Sequence, residues 1–332
     1  VLRVISVVSL LCMLVCSFAG CQGKQDGNVI KIGVMQFGEF DALQNAYKGF
    51  KDGLAEAGYV DGEKIKINYL SAAADPTNCP TIADTLINDG SNLILAIATP
   101  SVSCIKEKTT SIPVLFTAVS DPVSSGILSD AEKPGSNISG TSDMNPVEKP
   151  IDLIKQLFPE AKTVAVLYCS SESNSEIQYK LAKVEIEKLG MTCVQKTVSA
   201  IDEAKSAIES LKGQADAIYI PTDNTLADGM KTVSAAANDV GIPVIVGESG
   251  MVGSGGLATF GIDYYSLGKR TAEMAVKIIE AEDSLKAVSE TPVFFVTEDS
   301  DCKYAFNTET ASKLGITIPE ELLSKADIFP AK

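Results

Sequence analysis

Histidine and tryptophan are absent from the 332 residues, and arginine occurs only at positions 3 and 270. Without an imidazole there is no Ser-His-Asp or Cys-His catalysis and no His metal ligand. Without Trp the largest stacking platform is missing, although 11 Phe and 9 Tyr remain. The 28 Lys+Arg stand against 43 Asp+Glu, a formal net charge of −15. Such a chain has no basic stripe to release counterions from a phosphate backbone, and too few Arg for bidentate phosphate clamps. Nucleic acid is excluded as a partner. No Cys-x-x-Cys pair occurs, so zinc ribbons and thioredoxin-type chemistry find no support.

What remains is ordinary globular material, 45% hydrophobic and 21% charged, with length for about two domains. Residues 1–20 run from Arg3 through an apolar stretch, Val4 to Val15, into small residues. That is a signal-peptide plan, and the apolar run is short for a permanent membrane span. Phe18-Ala19-Gly20-Cys21 resembles a bacterial lipobox, which implies a diacylated Cys21 at the mature N-terminus. A plain secretory signal with an incidental Cys is the alternative. Residues 21–28 are polar and Gly-containing, a tether, so the body is expected to be extracytoplasmic and lipid-anchored to a membrane. The five cysteines beyond Cys21 are Cys79, Cys104, Cys169, Cys193 and Cys302. A Cys79–Cys104 bridge and buried thiols are both open.

From Val29 the chain alternates short β-branched runs with amphipathic segments. Runs at Val29–Met35, Lys64–Tyr69, Leu93–Ala98 and 113–117 read as strands, with helices between them. The pattern restarts with strands at Thr163–Tyr168, Thr192–Val198, Asp216–Pro221, Pro243–Val246 and Leu257–Gly261. A long helix at Ser266–Ala281 and a strand at Thr291–Val296 follow. Alternation of this kind predicts an α/β protein of two doubly wound parallel-sheet lobes. Elements beyond the second lobe imply crossings back. The first lobe is drawn as 29–143 plus 263–290, and the second as 144–262 plus 291–332.

In wound sheets the ligand lies at the carboxyl ends of strands, which singles out the loops there. Thr99 and Ser101 open a helix after the 93–98 strand, a place for an anion or for a simple N-cap. Asp121 follows the 113–117 strand and doubles as an ordinary turn residue. Asn174 and Ser175 stand just ahead of a helix, Asp223 and Asn224 follow the 216–220 strand, and Glu248 follows the 243–246 strand. Hydroxyls in one lobe facing acids in the other suit a zwitterion. Phe37 and Phe40 lie near the first strand, to stack on a planar ligand or to fill the core. The Gly253–Gly256 turn lacks dinucleotide spacing, and no phosphate-loop motif occurs, so no cofactor is called for.

Several segments then resemble one family. FTAVSDPV (116–123), KPGSNISG (133–140), SESNS (171–175), DAIYIPTDN (216–224), FGIDYYSLG (260–268) and ASKLGITI (311–318) are similar to the TrpX-type substrate-binding proteins of ABC importers. The resemblance spans residues 29 to about 328. It implies a type I periplasmic-binding-protein fold with three hinge crossings, a permease partner, and a tryptophan or other aromatic amino acid as ligand. It also implies Thr99, Ser101, Asn174, Ser175, Asp223 and Asn224 as ligand contacts. The chain departs from the family pattern at Phe37-Gly38-Glu39-Phe40 and at Cys169-Ser170. A sugar or nucleoside receptor of the same fold is the competing reading. An enzyme would have to use carboxylates such as Asp121 and Asp223 for acid–base work, with neither a nucleophile–base pair nor a metal cluster beside them.

Overall fold

A computed structural model describes residues 29–296 and 301–330. The expectations for residues 1–28, the signal segment, Cys21 and the tether, lie outside the described residues.

The first sheet begins with β1 (Ile30–Gln36), α1 (Asp41–Glu56), β2 (Ile65–Ser71) and α2 (Cys79–Asn88). It continues with β3 (Leu93–Ile97), α3 (Thr99–Lys108), β4 (Val114–Val119) and β5 (Ile138–Ser142). After a crossing, the second sheet is built from α4 (Glu148–Leu157), β6 (Thr163–Cys169), α5 (Ser173–Lys188), β7 (Thr192–Val198) and α6 (Ala204–Glu209). Then come β8 (Ala217–Ile220), α7 (Asn224–Asp228), α8 (Met230–Val240), β9 (Val244–Val246), α9 (Ser249–Gly253) and β10 (Ala258–Ile262). The chain returns to the first lobe with α10 (Tyr264–Glu280), α11 (Ser284–Glu290) and β11 (Phe294–Phe295). It closes on the second with β12 (Cys302–Asn307), α12 (Thr308–Leu314), α13 (Glu320–Leu323) and β13 (Ala326–Phe329).

Strand order is β11-β5-β4-β3-β1-β2 in one sheet and β13-β12-β10-β9-β8-β6-β7 in the other. Among the described residues every strand pair is parallel except β10 with β12. The chain therefore passes between the sheets three times. The central strands β3, β4 and β8 are buried along their whole length, which is why their sequences are unbroken apolar or β-branched runs. One boundary differs from the sequence reading. Residues 291–296 were expected in the second lobe, but Phe294 and Phe295 pair with Thr141 and Ser142 of β5, so the third crossing comes later. The strand is only two residues long, and its apolar run carried no sign of which sheet edge would take it.

Helices α1 and α10 cross face to face over the first sheet, and small residues let their backbones approach. A Cβ on Gly49 would collide with the Tyr265 carbonyl, and one on Gly268 with the Ala46 carbonyl. Backbone cannot move aside as a flexible side chain can. Gly268→Ala should therefore destabilise the protein by about 1–3 kcal/mol, read as a lower urea midpoint at unchanged slope. An unchanged midpoint would show that the helices can separate at no cost.

Candidate functional site

The carboxyl ends of strands from both sheets meet at a buried cavity between the lobes. From the first lobe come Phe40 and Leu43 at the start of α1, and Ala118 and Ser120 at the end of β4. From the crossings come Asp143 and Tyr264. The second lobe adds Asn174 at the start of α5, Thr222, Asp223, Asn224 and Ala227 after β8, and Glu248 after β9. The backbone bends sharply on the first-lobe side. Ala98 and Ala118, at the ends of β3 and β4, have φ of 78° and 57°, left-handed conformations that cost alanine about 1–3 kcal/mol. Such strain is held by its surroundings: Phe116 to Val119 is also where the β4–β5 register shifts.

The site is acidic, and no Lys or Arg lines it. Asp223 Oδ1 accepts the Leu226 N–H at 2.9 Å and Oδ2 the Cys169 N–H at 2.6 Å. Burial, then the neighbouring Glu172 charge, pushes its pKa far above the usual carboxylate range. Glu248 caps α9 through the N–H groups of Gly250 and Met251, yet burial still lifts its pKa to about 7. Asp143 is raised by burial too, although the Tyr264 hydroxyl donates to its Oδ2 at 2.8 Å. Taking a carboxylate out of water disfavours its charged form, and the N–H donors offset only part of that.

The lobes are closed on each other. Ser120 Oγ and Thr222 Oγ1 lie 3.1 Å apart across the cleft, and Gln178 Nε2 donates to both. Asn145 Nδ2, in the first crossing, donates to the carbonyls of Gly247 (2.9 Å) and Phe260 (3.1 Å). In this form the cavity measures about 20 Å³, room for roughly one water. A larger molecule can reach it only when the lobes part.

Among the candidate residues, Phe40, Asn174, Asp223, Asn224 and Glu248 line this cavity. Phe37 does not: it is packed in the first-lobe core. Asp121 lies outside and accepts from the N–H groups of Val123 and Ser124, as a turn residue does. Thr99 and Ser101 are buried within the first turn of α3 and are not lining residues. The Ser101 hydroxyl has no partner. Ser175 is buried in the first turn of α5, its hydroxyl beside Asp223. That helix begins at Ser173, so Asn174 and Ser175 are inside it and not ahead of it. Its N-cap is Glu172, whose carboxylate instead holds Asn224 and Thr225 at the start of α7. Cys79, Cys104, Cys169 and Cys193 are thiols, and burial pushes Cys79 and Cys193 up to about 11.

Sequence reasoning did not name Asp143, Tyr264, Ser120 or Thr222. Ser120 and Thr222 each followed a strand and were legible by that rule. Asp143 and Tyr264 are on crossings, where no strand-end rule points.

The model of the family described as ABC transporter substrate binding protein matches residues 31–329. A protein of Clostridioides difficile (strain R20291) named tyrosine-binding protein is 41% identical over 267 residues, 80% of this chain and 76% of that one. The chain belongs to the ABC transporter substrate-binding family. Its fold matches that of a Streptococcus pneumoniae ABC domain in complex with L-Trp, with TM-score 0.84, 36% identity, and 90% and 99% of the two chains covered. A ligand-free, open substrate-binding protein with adhesive properties from Clostridium difficile is 40% identical, covering 92% and 100%, but its TM-score is 0.69. The more similar sequence is the less similar structure, which fits an arrangement of the lobes here that is more closed than in that open form. Leucine-, benzoate- and sugar-type relatives at 17% identity or less share the type I binding-protein architecture.

The buried acids set a pH dependence. Unfolded carboxyls titrate near 4, and the folded values of Glu248, Asp223 and Asp143 lie higher. Their contribution to stability is therefore full below about pH 4 and is lost as pH rises through the folded values. The Tm of the ligand-free protein should fall between pH 5 and pH 8 in differential scanning fluorimetry, and Glu248→Gln should flatten that fall. An equally steep fall in Glu248→Gln would mean that this carboxyl is ionised throughout.

Proposed function

We propose that this protein captures an aromatic amino acid, tyrosine or tryptophan, between its lobes and delivers it to the permease of an ABC importer from outside the cytoplasm. The observation that carries this reading is the cavity itself: set between the lobes at the strand ends of both sheets, lined by acids and amides without a cation, with the Phe40 ring packed against the cores of both lobes. Such a surface suits a ligand with an ammonium group and a flat apolar side chain. The tyrosine-binding relative and the L-Trp complex, 41% and 36% identical, support the choice of ligand class.

Capture works by a hinge. The parted lobes admit the ligand, which then bridges both and shifts the population toward the closed form. The polar residues along the closed seam, Ser120, Thr222 and Gln178, are neutral, so their own contacts bury no charge. The start of α3 does not line the closed cavity; with its unpartnered Ser101 hydroxyl it is proposed as the carboxylate end of the site when the lobes part. Asp223 and Glu248 shape its acidic wall while capping α7 and α9. Anchoring through a lipid on Cys21, as the Phe18–Cys21 segment suggests, would keep the receptor near its permease.

Isothermal titration with L-tyrosine, L-tryptophan, L-phenylalanine, L-leucine, glucose and adenosine tests the reading. The aromatic amino acids should bind most tightly, and Phe40→Ala should weaken them about tenfold while changing leucine less than about threefold. Preferential binding of the sugar or the nucleoside would overturn it. For anchoring, Cys21→Ser should move the protein from the membrane fraction to the soluble exported fraction. Retention on the membrane would remove the lipid from the account.

A further inference from the structure

We propose that Asp143, oriented by Tyr264, is the anchor for the ligand's ammonium group, with the Asn174 side-chain carbonyl as its partner from the second lobe. The inference rests on the amino-acid reading and locates the charge within it. The choice among the buried carboxylates follows from which of their oxygens accepts no hydrogen bond at all. Both oxygens of Asp223 are taken by backbone N–H groups, and so are both of Glu248. Glu172 is committed in the same way to Asn224 and Thr225. Drawing any of these three toward a ligand would uncap a helix.

Asp143 is different. Tyr264 donates to Oδ2 and the Ser120 hydroxyl lies beside the carboxylate, yet Oδ1 accepts no hydrogen bond although the residue is 4% exposed. An acceptor left unmatched inside a protein is costly. Asn174 Oδ1 is unpartnered as well, in a residue 3% exposed, because its amide nitrogen is directed to the Thr222 carbonyl. Both residues line the cavity. An ammonium carries three N–H donors, so it can satisfy both of these oxygens at once. Among the described residues no cationic side chain lines the cavity to compete. Asp143 stands in the first crossing and Asn174 at the start of α5, so one ammonium would tie the hinge to the second lobe and make binding favour closure.

The test compares ligands with and without the ammonium: L-tyrosine against 3-(4-hydroxyphenyl)propanoate, and L-tryptophan against indole-3-propanoate, by isothermal titration on the full chain. Wild type should prefer each amino acid by about 10- to 100-fold, the worth of a charge-assisted hydrogen bond. Asp143→Asn should collapse that preference to within about threefold by weakening the amino acids and sparing the acids. Asp223→Asn should retain it. A preference kept by Asp143→Asn overturns the assignment, and one lost only in Asp223→Asn transfers it to Asp223. If wild type binds neither amino acid, the amino-acid reading and this assignment fall together. Should Asp143→Asn lack a cooperative thermal transition, Tyr264→Phe replaces it. Loss of the orienting hydroxyl should narrow the preference several-fold, and an unchanged preference refutes the proposal.

Discussion

Burying carboxylates where no cation can neutralise them is the constraint around which the interlobe region is organised. Each acid there must find donors or surrender its charge. Asp223, Glu248 and Glu172 find them in the exposed N–H groups at the starts of α7 and α9. The exchange is mutual, since a short helix entering a buried seam needs its first N–H groups matched. The acids thus build the wall of the site before any ligand arrives. Even so matched, Glu248 and Asp223 remain hard to ionise. A cation placed in the cavity would favour their charged forms.

That arrangement depends on parallel topology. A β-α-β crossover returns every strand in the same sense, so the strand ends of each sheet gather along one edge. Two such edges facing each other make a cleft, and three passages of the chain between the sheets make it a hinge with limited freedom. Asn145 reinforces this by bonding the first crossing to two carbonyls of the second lobe.

Local pattern shows the elements more readily than their meeting points. Strands such as Leu93–Ile97 and Ala217–Ile220 are continuous apolar runs because both faces are covered, and that was legible. The rule that strand ends bear ligand sites singled out Asn174, Asp223, Asn224 and Glu248, which line the interlobe cavity. It could not separate Phe37, which is packed in the first-lobe core, from Phe40, which lines the cavity. It overvalued Asp121, whose carboxylate is used up in its own turn. It passed over Asp143, because a polar residue in a linker looks like linker until the sheets on either side bury it. The short strand at Phe294–Phe295 was misplaced for a related reason: two residues carry no register of their own.

The polar seam between the lobes has a consequence for how a ligand governs closure. Its direct contacts are neutral hydroxyls and an amide, Ser120, Thr222 and Gln178, and such hydrogen bonds contribute about 0.5–1.5 kcal/mol each once water is accounted for. A seam of that strength allows the closed form to be sampled without ligand yet does not lock it. A ligand that touches only one lobe adds nothing to the difference between open and closed, however tightly it binds. One that reaches the hinge side and the second lobe together adds all of its bridging interactions to that difference. On the proposed reading, selectivity and closure are the same quantity: a molecule lacking either the ammonium proposed for the acidic side or the ring proposed to meet Phe40 would leave the lobes nearly as free as before.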